Sequence, residues 1–342
     1  MNGLIPLFAA TVSFIITALL GLWFIPFMRR LKYGQTILEI GPKWHADTKS
    51  GIPTMGGVMF VIGIVVSIVF TYGLSALVGN SGLTLEATHA YLITRVAAGV
   101  ALALGMGLIG FIDDYIKVIK KRNLGLTARQ KSMLQLLVAA GYLWTMLSGG
   151  MTTTTLPFVG DIDITKGPGL IFWPIALIMI YGFTNALNLT DGVDGLATSV
   201  TLVVAAFYLV TTAVLHQYGL NVEAAALAGG CIGFLVWNIH PAKVFMGDTG
   251  SLFLGGLVVA LAFGTNRPVL LIFAGILYLL EALSVVIQVS YYKRTKKRLF
   301  KMSPIHHHFE LCGWSEGKIV LVFSFVAFCG CIVALLPIIF QW

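Results

Sequence analysis

The sequence predicts an all-α polytopic membrane protein of about ten transmembrane helices, with a small external β-hairpin and both termini outside. Three observations carry this. Of the 342 residues 58% are apolar and only 11% charged, with a mean hydropathy of +0.91, whereas a soluble domain carries about 25% charged residues. The apolar residues are gathered into stretches that suit a bilayer core about 30 Å thick, which takes about 20 residues per helix. Basic residues, finally, are crowded into alternate connections between those stretches.

The first stretch, Leu4 to Met28, is too long and too sparsely flanked by basic residues for a cleaved signal peptide, and no small-residue cleavage site follows it. The next are Thr54 to Leu74, Tyr91 to Ile112 and Ser132 to Leu147. Met151 to Gly169 follows, with its run Thr152 to Thr155, Pro157, Gly160 and the D-I-D-I-T alternation, and reads as the external hairpin. Then come Gly169 to Phe183, Leu196 to Leu215, Ala224 to Asn238, Ser251 to Phe263, Val269 to Tyr291 and Ile319 to Phe340. The fifth, seventh and eighth are short, so nine or eleven spans stay open. Within the seventh, Gly229 and Gly233 have the G-x-x-x-G spacing that lets helices approach closely. Cys231, Cys312, Cys329 and Cys331 lack paired metal-ligand spacing and read as packing residues. There is no internal repeat, low-complexity tract or appended soluble domain, so residues 1–342 read as a single integral membrane domain.

Of the 22 Lys and Arg, all but Arg95, Lys166 and Arg267 fall in the connections after the odd-numbered spans. The positive-inside rule therefore puts those connections in the cytoplasm. The net charge of +8 needs no nucleic acid to explain it, because the basic surface lies against anionic headgroups.

Three polar clusters interrupt the apolar pattern, and all fall on that same side. They are F-I-D-D-Y-I-K at Phe111 to Lys117, N-A-L-N-L-T-D-G-V-D-G at Asn185 to Gly195, and F-M-G-D-T-G-S at Phe245 to Ser251. An ionised Asp at membrane depth costs about 2.5 to 3.5 kcal/mol on insertion scales, so such a gathering needs compensation, most simply a cation with phosphates. Asp113 and Asp114 point about 100° apart on a helix, and Lys117 and Lys121 follow Asp113 at four-residue steps. The competing reading is a solvated helix end with i,i+4 ion pairs. Asn185, Asn188, Asp191 and Asp194 recur every three residues along one drifting face, and Gly192 and Gly195 let backbone amides approach a ligand. Asp191 or Asp194 could instead cap the sixth span, and Asp248 the eighth. Carboxylates and Asn oxygens without a Cys/His set select a hard divalent ion such as Mg²⁺.

His306, His307 and His308 are consecutive, so they cannot converge on one metal from a regular helix or strand. Separate roles follow, one binding a phosphate or sugar group and another packing. His240, before Pro241, reads as a cap of the seventh span. Glu281, with Gln288 one to two turns on, is the sole acid deep within a span, where a secondary transporter would keep its charges; it reads better as a polar kink or helix contact.

The three clusters, together with P-I-H-H-H-F-E-L-C-G-W and T-K-S-G-I-P-T-M-G-G at Thr48 to Gly57, resemble the signature segments of the bacterial phospho-N-acetylmuramoyl-pentapeptide transferases, the MraY family within the polyprenyl-phosphate N-acetylhexosamine-1-phosphate transferase superfamily. Ile52 departs from that pattern, where a Thr is expected. The H-H-H-F-E form separates this branch from siblings that use UDP-N-acetylglucosamine. The resemblance implies transfer of phospho-N-acetylmuramoyl-pentapeptide from UDP-N-acetylmuramoyl-pentapeptide to undecaprenyl phosphate, giving lipid I and UMP, with Mg²⁺, in the bacterial cytoplasmic membrane and with the active site on its cytoplasmic face. On that implication Asp248 and Asp191 ligate the metal, while Asp113, with Asp114, orients or deprotonates the lipid phosphate. Lys49, Thr54, Lys117, Lys121, Lys131, Asn185, Asn188, Asp194, Asn238, Phe245, His306, His307 and His308 match family positions for substrate binding, Phe245 as a stacking surface for uracil. Membrane lipids are further partners, and a homodimer stays open.

Overall fold

The computed structural model describes residues 4–30, 49, 51–77, 90–119 and 124–340. The expected substrate residue Lys121 lies outside them. In chain order the helices are α1 (Leu4–Arg30), α2 (Gly57–Leu77), α3 (Ala90–Ile119), α4 (Ala128–Ser148), α5 (Phe172–Thr190), α6 (Leu196–Val214), α7 (Tyr218–Asn238), α8 (Gly247–Gly264), α9 (Leu270–Ala274), α10 (Ile276–Thr295), α11 (Ile305–Glu310) and α12 (Glu316–Ile339). Between α4 and α5, β1 (Thr153–Leu156) pairs antiparallel with β2 (Gly160–Asp163), followed by a short 3₁₀ turn over Gly167–Ile171. The expected hairpin is there, hydrogen-bonded from Thr155 N–H to the carbonyl of Asn266 beyond α8.

Among the described residues nine helices are long and apolar enough to cross a membrane. The expected fourth span is helical as α4, but Arg129, Gln130, Lys131 and Gln135 in its first turns leave it outside that set. The expected ninth span is broken: α9 ends at Gly275, whose N–H returns to the Leu271 carbonyl, and α10 restarts there.

Lipid removes the hydrophobic drive between helices, so the bundle holds together by close packing, which small residues permit. α8, rich in Gly, is the axis: 89% of its most apolar stretch is buried, against 28% for α10 and α12. α3 packs along it more extensively than any other pair of helices packs, and α5 and α2 flank it. α1 lies along α7, where a side chain at Gly229 would collide with the Ala10 carbonyl and one at Gly233 would press on Phe14 and Thr17. The G-x-x-x-G expectation therefore holds.

α10 is inside-out, as a bilayer solvent requires. Glu281, Ser284 and Gln288 are buried along one face, while Leu280, Leu283, Val286 and Ile287 are exposed on the other. Arg95, left by sequence on the side opposite the basic connections, sits inside α3 and is 3% exposed, its guanidinium donating to the Gly264 carbonyl at 2.6 Å.

Candidate active site

Three chain segments meet at one end of α8. The turn before it, Phe245 to Gly247, is strapped to the segment preceding α2: Phe245 N–H donates to the Pro53 carbonyl, and Gly56 and Gly57 N–H donate to the carbonyls of Phe245 and Met246, all at 2.8–3.0 Å. Gly247 has φ 72°, and a Cβ there would lie 2.6 Å from Asp114 Oδ2. Only glycine meets both demands. Thr54, buried, sits in the strap beside this turn.

From α3 come Asp113, Asp114 and Lys117. Asp114 is taken up by the start of α8: its carboxylate accepts from the N–H groups of Asp248 (3.2 Å) and Thr249 (2.9 Å) and from the Thr249 hydroxyl (2.7 Å). Those amides are unpaired donors of a first helical turn, whose dipole favours an anion. The expected alternative of Asp248 as the cap is thus replaced by capping from a helix 134 residues away in sequence. Asp248 is left free to face the site, where Oδ1 accepts from Asn188 (2.9 Å) and Oδ2 meets both Lys117 and Lys131 (2.9 Å each). Asp113 accepts from Leu126 N–H (2.7 Å) and pairs with Lys117 (2.6 Å). Asp113, Asp114 and Asp248 each place a carboxylate oxygen within 4.8 Å of the others.

α5 supplies the next wall. Asn185 is held by Gln135 and the Tyr181 carbonyl, and Asn188 reaches Ser251 as well as Asp248. Asp191 ends the helix, and its carboxylate makes no hydrogen bond to any described residue. Burial, and then the negative charges of Asp248, Asp114 and Asp194, push its pKa up to about 8. Neither Asp191 nor Asp194 caps α6, whose N-cap is Gly195 at φ 75°.

Asp194 belongs to a second cluster. Lys49 donates to Asp194 (2.7 Å) and Glu316 (2.8 Å), while His240 Nδ1 stands 3.1 Å from Asp194 and 3.7 Å from Glu316. Burial works against the Lys49 charge, but the two carboxylates outweigh it and raise its pKa above 10.5. Burial likewise resists ionisation of Asp194, and Lys49 outweighs it, holding that carboxyl below 3.8. His240 is therefore part of this clamp rather than a cap of the seventh span. Phe245 lies under Lys49, its ring centroid 6.0 Å from Nζ. Asn238 is spent internally, accepting from Thr198 and donating to the Val244 carbonyl.

The three histidines find separate polar partners, although the rings of His306 and His307 stand edge to face with centroids 4.2 Å apart. His306 is buried with Nδ1 3.1 Å from Glu281, His307 pairs with Glu310 at 2.5 Å, and His308 accepts from Lys301 N–H.

Hard oxygen donors dominate the first cluster, and two ammonium groups sit on Asp248. That donor set, with the unpartnered Asp191 carboxylate beside it, suits a divalent cation and anionic phosphates.

The sequence comparisons agree with this geometry. Residues 96–266 match the model of glycosyl transferase family 4, and residues 49–61, the strap and the start of α2, match phospho-N-acetylmuramoyl-pentapeptide-transferase signature 1. Over 336 residues, 96% of this chain and 94% of the relative, the sequence is 46% identical to a phospho-N-acetylmuramoyl-pentapeptide-transferase of Desulforamulus reducens. The chain belongs to the phospho-N-acetylmuramoyl-pentapeptide transferase family. Proteins of that name from Bacillus thuringiensis and Bacillus cereus are 42% identical over 322 residues, 94% of each chain.

Two residues of this family member escape a reading of motifs. Glu316 shows in sequence only as the residue after the N-cap Ser315, yet it completes the Lys49 clamp. Gln135 is a lone polar signal within a helix and holds Asn185, while Ser251, the last residue of the F-M-G-D-T-G-S motif, holds Asn188.

Proposed function

We propose that the protein transfers phospho-N-acetylmuramoyl-pentapeptide from UDP-N-acetylmuramoyl-pentapeptide to undecaprenyl phosphate, forming lipid I and UMP, on the cytoplasmic face of the bacterial membrane. The observation that carries this is the convergence of Asp113, Asp248, Lys117 and Lys131 at one end of α8 in a chain of this family.

Two anionic phosphates must meet, and the chain's own groups are suited to bring them together. Lys117 and Lys131, already 2.9 Å from Asp248, can exchange a carboxylate partner for phosphate oxygens without leaving the site. Asp113, anchored by Leu126 N–H through Oδ1, keeps Oδ2 toward Lys117, where it orients the attacking lipid phosphate. A phosphate monoester with a second pKa near 6 is already largely ionised, so placement matters more than proton removal. Asp248 with Asp191 would hold Mg²⁺; when bound, the ion supplies positive charge against the negative charge developing on departing UMP. Asp114 keeps Asp248 in register through the start of α8. Lys49 and Asp194, with Phe245 beneath, form the wall suited to the nucleoside.

The test is UMP release by purified protein given polyprenyl phosphate, Mg²⁺ and each nucleotide sugar. Release with UDP-N-acetylmuramoyl-pentapeptide and little or none with UDP-N-acetylglucosamine is expected. Equal turnover of both, or silence with the pentapeptide nucleotide, overturns the assignment.

A further inference from the structure

Glu281 is fully buried in α10, and nothing in the reaction outlined above uses it. Its Oε2 lies 3.1 Å from Nδ1 of His306, itself fully buried, while Oε1 of Glu281 and Nε2 of His306 have no hydrogen-bond partner among the described residues. The imidazole crosses from α11 to the D-G-V-D-G turn: a Cβ added at Gly192 would collide with His306 Nε2. Gly192 adjoins Asp191 and lies two residues before Asp194, so the far nitrogen stands on the backbone between the two acidic clusters.

The same face of α10 ties down the segment that carries the histidine. Two turns beyond Glu281, Gln288 Oε1 accepts from the N–H groups of Leu299 (3.1 Å) and Phe300 (2.9 Å), and Nε2 donates to the Phe300 carbonyl (3.2 Å). Gln288 thus fixes where the loop leaves α10, and Glu281 fixes the ring at its far end.

We infer that Glu281 is a positioning residue which holds His306 with Nε2 presented over Gly192 to an anionic oxygen of the phospho-sugar being transferred. The inference rests on the proposed transfer reaction. A carboxylate can only accept, so Nδ1 turns its N–H to Glu281 and the ring cannot flip. A phosphate oxygen also only accepts, so a contact made at Nε2 is one that the ring donates. The contact is made through His306 alone; Glu281 itself does not reach the substrate.

Steady-state UMP release by the full-length protein tests this, because wild-type turnover first establishes the reaction independently. Glu281→Gln is expected to lower kcat by about 10- to 100-fold, the usual effect of losing a partner that orients a functional group. The KM for the nucleotide and the melting temperature should stay near wild type. In a His306→Ala background, Glu281→Gln should cost less than about twofold more, as coupled residues are non-additive. His306→Asn separates positioning from packing, since its amide keeps the link to Glu281 where Nδ1 stood but has nothing at the Nε2 position. That variant should fold normally and lose kcat as His306→Ala does. Multiplicative losses in the double variant, a near-normal kcat for His306→Asn, or a fall in kcat matched by a fall in melting temperature would each overturn the inference. If Glu281→Gln does not fold, His306→Asn alone decides.

Discussion

Asp113 and Asp114 are neighbours of the same chemistry, yet the structure gives them different work. Asp114 is committed to three donors at the start of α8, whereas Asp248, whose position that capping fixes, faces two lysines and an asparagine. Substitution to Asn should tell them apart. Asp248→Asn is expected to reduce UMP release on the order of 100-fold or more, far beyond any loss of folded protein, since it removes the charge that Lys117 and Lys131 face while keeping an oxygen for Asn188. Asp114→Asn retains one acceptor and loses the charge that complements the helix dipole. It should destabilise the protein by about 1 kcal/mol, seen in thermal unfolding, with activity falling alongside. Near-normal turnover of Asp248→Asn at ordinary Mg²⁺ would remove Asp248 from the catalytic centre.

At the scale of elements, the Lys49 clamp joins the strap before α2, the turn between α5 and α6 and the first turn of α12. These pieces are 145 and 267 residues from Lys49 in sequence. Removing one partner of a buried pair costs about 3 to 5 kcal/mol, because the other charge is left uncompensated. Lys49→Met should therefore lower thermal stability more than Glu316→Gln, which leaves the Lys49 and Asp194 pair intact. The sign of the pH dependence follows from the shifts. Asp194 is held below 3.8, so its contribution is complete above that value and is lost as pH falls through the lower, folded-state one. Lys49 is raised above 10.5, so its contribution is lost only as pH rises past that value. Unfolding measured from pH 6 to 3 should show a steeper acid loss in wild type than in Lys49→Met; equal slopes would mean that the pair is not formed.

These clamps mark the limit of what the chain discloses before folding. Span positions, the hairpin, the close approach at Gly229 and the gathering of all three polar clusters at one end were legible, because each rests on local composition or on alternation along the chain. The cap by Asp114, the pairing of Glu316 and His240 and the burial of Glu281 against His306 were not. Each joins residues far apart in sequence, and no spacing rule reaches across helices whose packing is set by small residues at their contacts. The break at Gly275 was hidden for another reason, since glycine is frequent in membrane helices and does not by itself signal a stop.

For the whole molecule, the remaining expectation is orientation. Lys293, Arg294, Lys296, Lys297 and Arg298 are exposed at the end of α10 and lead into the segment carrying His306, whereas the hairpin and the carbonyl end of α8 share the opposite pole with Asn266. Among the described residues the bundle is therefore polarised, with the three acidic clusters, His306 to His308 and the basic run after α10 at one pole and the β-hairpin at the other. Anionic headgroups and the positive-inside rule favour the basic pole in the cytoplasm, which is also where a water-soluble nucleotide sugar is available. Accessible thiols report this directly, once the exposed Cys312 and Cys329 have been replaced. In that background Val159→Cys, at the exposed tip of the hairpin, should react with a membrane-impermeant maleimide in intact cells. Lys297→Cys, exposed beyond α10, should react only after permeabilisation. Labelling of Lys297→Cys in intact cells, with Val159→Cys protected, would invert the molecule and place its acidic centre where neither the nucleotide substrate nor the charge of the inner leaflet could serve it.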